Sequence, residues 1–367
     1  VRGLGGTPRR RLAIGVAIAV AAVVAGALAA YLMSPTQRAF RAAGDIGQRM
    51  GEGFGAGAAA VLDVASDLRE PYRCGFIEPL DSAAAEPATQ AVGREFTRRG
   101  WRLDVSEPST GSSTPGLTVG VIADTHGDLT HVSEIARSFA DAKVELVVSL
   151  GGHGTTADDV TPVLAALASE RWPVLALPGA TEAVPEHRAA VGAARARAPG
   201  PILDGGDVRL LVMDGVAIAT APGAGHANQL EAGAEGCVPS PRSIAVLAAA
   251  LANHPGPRVV ASYSPPTGDT SSNLTLGGVR LGDANVASLV ERGRASLVLH
   301  GLVAEAAPTE NGRAEANAAA PTVLSAGAAS GLPVRLLDGS MARGAAVVAL
   351  VSGGRVSYRP VRSRAPR

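Results

Sequence analysis

Cysteine is scarce in this chain. Two cysteines, Cys74 and Cys237, in 367 residues exclude a disulfide-stapled scaffold and any cysteine-rich zinc or iron–sulfur centre. They could pair in an oxidising compartment, but sequence does not show whether their Cα atoms come within reach. Lysine is nearly absent: of 33 basic residues only Lys143 is a lysine, and 33 acids balance them. That balance excludes the broad positive field of a nucleic-acid-binding chain, and no nucleic-acid partner is expected. Aromatics make up only 3%, yet hydrophobic residues reach 46% and charged residues 18%, which excludes a disordered polar chain. No repeat of solenoid period is present, and the length admits one large or two medium domains. Seven histidines leave a His/carboxylate metal site open.

One long apolar run is present. Leu12 to Met33 carries no charge and, at about 1.5 Å per helical residue, is long enough to span a hydrocarbon core. Arg2, Arg9, Arg10 and Arg11 precede it and Arg38 and Arg41 follow, which places the N-terminus in the cytoplasm and the rest outside. A retained signal anchor, favoured by the length, competes with a cleaved secretory peptide, for which Ala27-Leu28-Ala29 offers a small-residue site. The expectation is a single-pass protein of a bacterial inner membrane with a periplasmic main domain. Residues 1–33 hold four arginines and no acid, so the remainder has a net charge of −4.

Residues 34–105 read as a helical juxtamembrane segment, with a second helix over 82–99 and a short strand at Trp101–Val105. Residues 106–116 (SEPSTGSSTPG) read as a polar linker. Beyond it, strands are expected at Leu117–Ala123, Val144–Leu150 and Pro173–Leu177, alternating with helices at 129–140, 157–170 and 184–197. Asp214-Gly215 marks a hairpin between strands at about 208–213 and 216–220. Helices at 241–253 and 284–292 and strands at 258–263, 276–281, 296–300, 322–326, 345–351 and 355–360 complete the reading. The fold class is α/β, with the later hairpins arguing for mixed or stacked sheets. Residues 361–367 form a basic tail.

Ligands of open α/β sheets gather beyond the carboxyl ends of strands. Here those loops read Asp124-Thr-His126-Gly-Asp128, Gly151-Gly-His153-Gly154, Pro178-Gly-Ala-Thr-Glu182, Ser262-Tyr-Ser-Pro-Pro266 and His300-Gly301-Leu302-Val-Ala304. Asp and His at i and i+2 beyond a buried strand suit Mn, Fe or Zn. The Gly151–Gly154 loop could cradle an anion on backbone N–H groups, though it has neither the lysine nor the spacing of a P-loop. Thr155 or Thr156 with Asp158 and Asp159 reads as a helix cap. Neither Ser262 nor Ser264 sits in a nucleophile elbow.

In order and spacing, these loops resemble the calcineurin-like metallophosphoesterase family, over about residues 117–360, roughly two-thirds of the chain. Ile122 to Asp128 looks like that family's first metal motif. The resemblance implies a sandwich of two mixed β-sheets flanked by helices. It also implies two metal ions at one edge that activate a water for in-line attack on phosphorus. At the second motif Gly152 stands where the bridging Asp belongs. At the third, Gly179 and Glu182 match, while Ala180 and Thr181 replace the Asn ligand and the catalytic His. Tyr263 holds the place of a ligand His, and Leu302 and Ala304 replace two more after Gly301. Asp124 and His126 are the ligands retained.

His153 lies one residue past the missing Asp, and His300 one before Gly301. With Glu182 and the loop residue His226 they are the candidates for a rebuilt mononuclear site around Asp124 and His126. A one-residue shift along a strand reverses side-chain direction, which counts against it. The reading is therefore a membrane-anchored extracytoplasmic protein of metallophosphoesterase-like fold, catalytically degenerate, with no cofactor, acting as a binding or scaffold module toward a protein or envelope partner. The alternative is an active metal-dependent phosphohydrolase using Mn, Fe or Zn. A third reading is a structural envelope protein that interacts through residues 34–105.

Overall fold

A computed structural model of the chain describes residues 74–75, 77, 79–80, 84–106, 116–268, 270–310, 312–315, 320–353 and 355–363. The apolar run at 12–33, the helical reading of 34–72, most of the 106–116 linker and the last four residues of the tail lie outside them. Among the described residues no helix is long and apolar enough to cross a membrane.

Two mixed sheets pack face to face, each with helices on its outer side. The seven-stranded sheet runs β12 (Gly312–Glu315), β17 (Arg355–Arg362), β16 (Ala345–Ser352), β4 (Gly116–Ile122), β5 (Leu146–Ser149), β6 (Val174–Ala176), β7 (Ile202–Asp204). Strands β4 to β7 are parallel, and β16 joins β4 antiparallel. The eight-stranded sheet runs β1 (Thr89–Ala91), β2 (Arg94–Arg99), β3 (Arg102–Ser106), β8 (Leu210–Met213), β9 (Val216–Ala221), β10 (Arg258–Ser262), β11 (Leu297–His300), β13 (Thr322–Ser325). Its strands β9, β10, β11 and β13 are parallel. A small antiparallel pair, β14 (Val334–Arg335) with β15 (Met341–Ala342), lies apart. This is the sandwich of mixed sheets flanked by helices that the sequence led one to expect.

Side-chain alternation builds the layers. Leu117, Val119 and Val121 of β4 and Leu146 and Val148 of β5 meet Leu211, Ile218, Val259, Ala261, Leu297 and Leu299 between the sheets. The opposite faces carry helices: α1 (Leu129–Asp141), α2 (Ala157–Leu167) and α3 (Val184–Arg195) on one side, α4 (Pro241–Ala252) and α5 (Ala284–Gly293) on the other. In α1 the buried Val132, Ile135, Ala136 and Phe139 recur at helical spacing. Phe139 lies over β4 at Gly120, where an added Cβ would stand 2.7 Å from its ring. Asp128 caps α1, accepting from His131 N at 3.2 Å. Thr156 and Asp159 form a capping box on α2.

The structure departs from the expected elements in three places. Residues 89–99, expected in a helix over 82–99, form the β1–β2 hairpin. Val92 and Gly93 turn it with φ of 48° and 76°, and alternation buries Phe96. Pairing of β2 with β3, Glu95 opposite Ser106 to Arg99 opposite Arg102, holds this segment as strand. The strand expected at 276–281 is a turn closed by Thr275 N to Val279 O at 2.9 Å, with Leu276 and Val279 both 48% exposed. Strands β7, β12, β14 and β15 are short additions. The Asp214-Gly215 hairpin is present, with φ of 49° and 75°.

Candidate functional site

The loops after β4, β5 and β6 meet those after β10 and β11 at one edge of the sandwich. Asp124 N donates to Gly151 O at 2.9 Å and His126 N to Gly152 O at 3.1 Å. Asp124 and His126 take positive φ, 50° and 47°, which is strained for non-glycine residues. Glycine allows the second loop to come close: a Cβ on Gly151 would lie 2.2 Å from Gly179 N, and one on Gly152 2.0 Å from Asp124 Oδ1. Asp124 thus fills the space that any side chain at 152 would need.

The Asp124 carboxylate is buried, and its Oδ1 accepts from the Tyr263 hydroxyl at 3.0 Å. Burial pushes Asp124 up to about 7, against the Tyr263 hydrogen bond and with the added repulsion of Glu182 and Glu231. Burial, then the adjoining Asp124 carboxylate, pushes the Tyr263 phenol up as well, so it stays a donor. The Tyr263 ring packs with Ala180, Ala224 and Leu230, bordered by Val238 and Leu302.

Glu182, 1% exposed, is enclosed by donors. Its Oε1 accepts from His153 N at 2.6 Å. Its Oε2 lies 3.2 Å from Gly152 N, 2.8 Å from Gly179 N and 3.1 Å from the Thr181 hydroxyl. No oxygen of this carboxylate is left without a donor.

The candidate histidines diverge. His126 is exposed. His153 is fully buried, with Nδ1 3.0 Å from the Thr125 hydroxyl and Nε2 hydrogen-bonded to the Ser149 hydroxyl. Burial pushes it down to about 4, against the attraction of Glu182. His300 is on β11 with Val298, which faces the helices, whereas Leu297 and Leu299 face the other sheet. Its Nδ1 lies 2.8 Å from Gly301 O, its Nε2 has no partner among the described residues, and burial pushes it down to about 4. His226 is exposed on the loop before Gln229.

The structure therefore brings together Asp124, Gly152, Glu182 and Tyr263, and leaves His126, His153, His226 and His300 apart. These residues do not fit a two-metal centre. Gly152 stands where the resemblance places a bridging carboxylate, and Asp124 fills the space a side chain there would need; both Glu182 oxygens accept hydrogen bonds, and both nitrogens of His153 are engaged. Among the described residues no group of three or more His, Cys, Asp or Glu converges to hold a metal ion. The two serines of the loop after β10 are bonded within the fold: Ser262 Oγ donates to Ser264 O at 2.7 Å, and Ser264 Oγ accepts from Gly225 N at 2.8 Å.

One feature was hidden from sequence reasoning: the pairing of Thr125 and Ser149 with His153, for which local sequence holds no signal. The Cys74–Cys237 pairing, left open by the sequence, is present as a disulfide with Cα atoms 4.7 Å apart across a sequence separation of 163. Cys237 O accepts from Ala224 N at 3.0 Å, and Gly223 N donates to Pro178 O at 2.8 Å, so the bond anchors the segment that borders the Tyr263 side. Arg209, also buried, donates to Thr220 O from Nε and Nη2 at 3.2 Å.

No family model and no curated protein matches this chain. Solved structures are similar at low identity. The protein TT1561 of Thermus thermophilus is 14% identical over 69% of this chain and 100% of that one, with a TM-score of 0.45. A dimetal phosphatase from Danio rerio is 10% identical over 68% and 100%, with a TM-score of 0.40. An archaeal phosphodiesterase is 14% identical over 67% and 99%, with a TM-score of 0.33.

Proposed function

We propose that this chain is a metallophosphoesterase-like protein whose strand-end cleft has lost hydrolysis and serves as a binding or scaffold module. One observation carries the reading: the cleft is satisfied by its own side chains. Asp124 occupies the space over Gly152 and is bonded to Tyr263, and Glu182 is bonded on both oxygens. Divalent cations need several convergent donors with lone pairs to spare, and this arrangement spares few. The ligand replacements at Gly152, Tyr263, Leu302 and Ala304 point the same way, because they fall on both sides of the cleft.

The Cys74–Cys237 bond supports an oxidising, extracytoplasmic setting. The charge-free run Leu12–Met33 behind its arginines supports an anchor in a bacterial inner membrane, with the folded part in the periplasm and a protein or envelope partner there. The test is turnover of a generic phosphodiester by the full-length chain in detergent with added manganese. The expected rate matches that of Asp124→Ala. A rate well above it, lost in both Asp124→Ala and His126→Ala, would establish the phosphohydrolase instead.

A further inference from the structure

Sequence marked the Gly151–Gly154 loop as able to cradle an anion, and the structure shows what lies in it. Backbone N–H groups of Gly152, His153 and Gly179, from two different loops, converge on the Glu182 carboxylate at 3.2, 2.6 and 2.8 Å. The Thr181 hydroxyl adds a fourth donor at 3.1 Å. Converging backbone N–H groups form a fixed concavity that suits anions, and N–H bonds to a charged oxygen are stronger than neutral ones. The concavity exists because Gly151 and Gly179 let the loops touch: a Cβ on Gly179 would lie 2.8 Å from Gly152 N and 3.1 Å from Glu182 Oε2. A buried N–H without an acceptor is costly, so some anion or acceptor must fill this place.

We propose that these loops form an oxyanion receptor whose resident ligand is the chain's own Glu182. Removing that side chain opens a site for small external oxyanions of the phosphate, sulfate or carboxylate class. Glu182 is then a plug as well as a staple: it joins the loops after β5 and β6 and keeps free anions out of the cleft. The inference rests on the cradle alone. Turnover by the unaltered chain would leave it standing, and its failure would leave the scaffold reading standing.

The test uses Glu182→Ala and Glu182→Gln in the full-length chain, melted in chloride and in inorganic phosphate, sulfate or acetate at matched ionic strength. Glu182→Ala is expected to melt about 5–10 °C below the unaltered protein in chloride. It should recover at least half of that loss in phosphate or sulfate, and recovery in acetate as well would show that the cradle also accepts a simple carboxylate. The unaltered protein should gain only the general stabilisation that phosphate and sulfate give any fold, and recovery in either variant is counted beyond that gain. Glu182→Gln keeps the volume but sets an amide N–H₂ among donors, so it should lose stability and recover nothing. If Glu182→Ala does not fold in chloride, folding on dilution into phosphate is the expected result. A Glu182→Ala protein that gains nothing beyond the unaltered protein from any of the three anions, folded or not, overturns the proposal. So does a Glu182→Gln protein as stable as the original.

Discussion

The two sides of the strand-end cleft differ in kind. On the side of the seven-stranded sheet, Asp124, His153 and Glu182 are polar, buried and bonded inward, to Tyr263, to Thr125 and Ser149, and to loop N–H groups. From the side of the eight-stranded sheet, Tyr263 reaches in to pack with Ala224 and Leu230 and with Ala180 of the loop after β6, and His300 lies buried on β11. On the first side the polar groups partner one another; on the second the Tyr263 phenol stands among apolar side chains, while Ser262 and Ser264 are bonded within their own loop and to Gly225. A cation held between the sheets would need free donors from both sides at once. The difference teaches that the polar side is maintained by its own network, so losing the opposite side need not unfold it.

The sharpest way to break this comparison is to restore a carboxylate on the polar side. Gly152→Asp puts a Cβ 2.0 Å from Asp124 Oδ1 at a φ of 77°. The expected loss is roughly 3–6 kcal/mol from strain and overpacking together, read by chemical denaturation. A stable Gly152→Asp protein would mean the two carboxylates rearrange and the polar side is not closed. Next in size, Cys74→Ser with Cys237→Ser should cost about 2–5 kcal/mol, with the same assay under reducing and non-reducing conditions as the check.

Tyr263→Phe removes the side-chain hydroxyl that bonds Asp124 from the opposite sheet. A buried carboxylate that loses a donor costs about 1–3 kcal/mol, and Asp124 should titrate higher still, because the Tyr263 bond lowers its pKa. The pH dependence of stability separates the contributing groups. Asp124 titrates near 7 in the fold against an ordinary 3.8. Between those values the folded chain holds a proton the unfolded chain has released, so its contribution falls as pH rises. His153 and His300 titrate near 4 against 6.5. Over that span the unfolded chain holds the protons, so their contribution rises with pH. Asp124→Asn should therefore steepen the gain in melting temperature from pH 4 to 7, and His153→Gln should flatten it. The smallest expected effect is Thr125→Val, about 1 kcal/mol for one partner of His153.

The layers were largely legible because their signal is local. Apolar runs such as Leu146-Val-Val-Ser149 are buried throughout, and they alternate with helical stretches such as Leu129–Asp141. The β1–β2 hairpin within the helix expected at 82–99 was missed because the Val92-Gly93 turn is a weak local signal, and pairing of β2 with β3 settles that segment from outside it. At the site, His300 is buried on β11 with its Nδ1 at Gly301 O, which the sequence did not foretell. The contact of Gly152 with Asp124 and the donation to Glu182 from Gly152 N and His153 N were not legible, because they join loops 28 to 30 residues apart that only the sheet brings together. The cysteine pair was named by the sequence, but its closure over 163 residues was left open.

If Asp124, His153 and Glu182 are held by their own partners as described, the strand-end loops keep no pair of divalent cations. Metal content after incubation of the full-length chain with manganese, iron or zinc and exhaustive desalting tests it most directly. The expected result is substoichiometric metal, no higher than in Asp124→Ala. One or two ions per chain, lost on Asp124→Ala or His126→Ala, would contradict it.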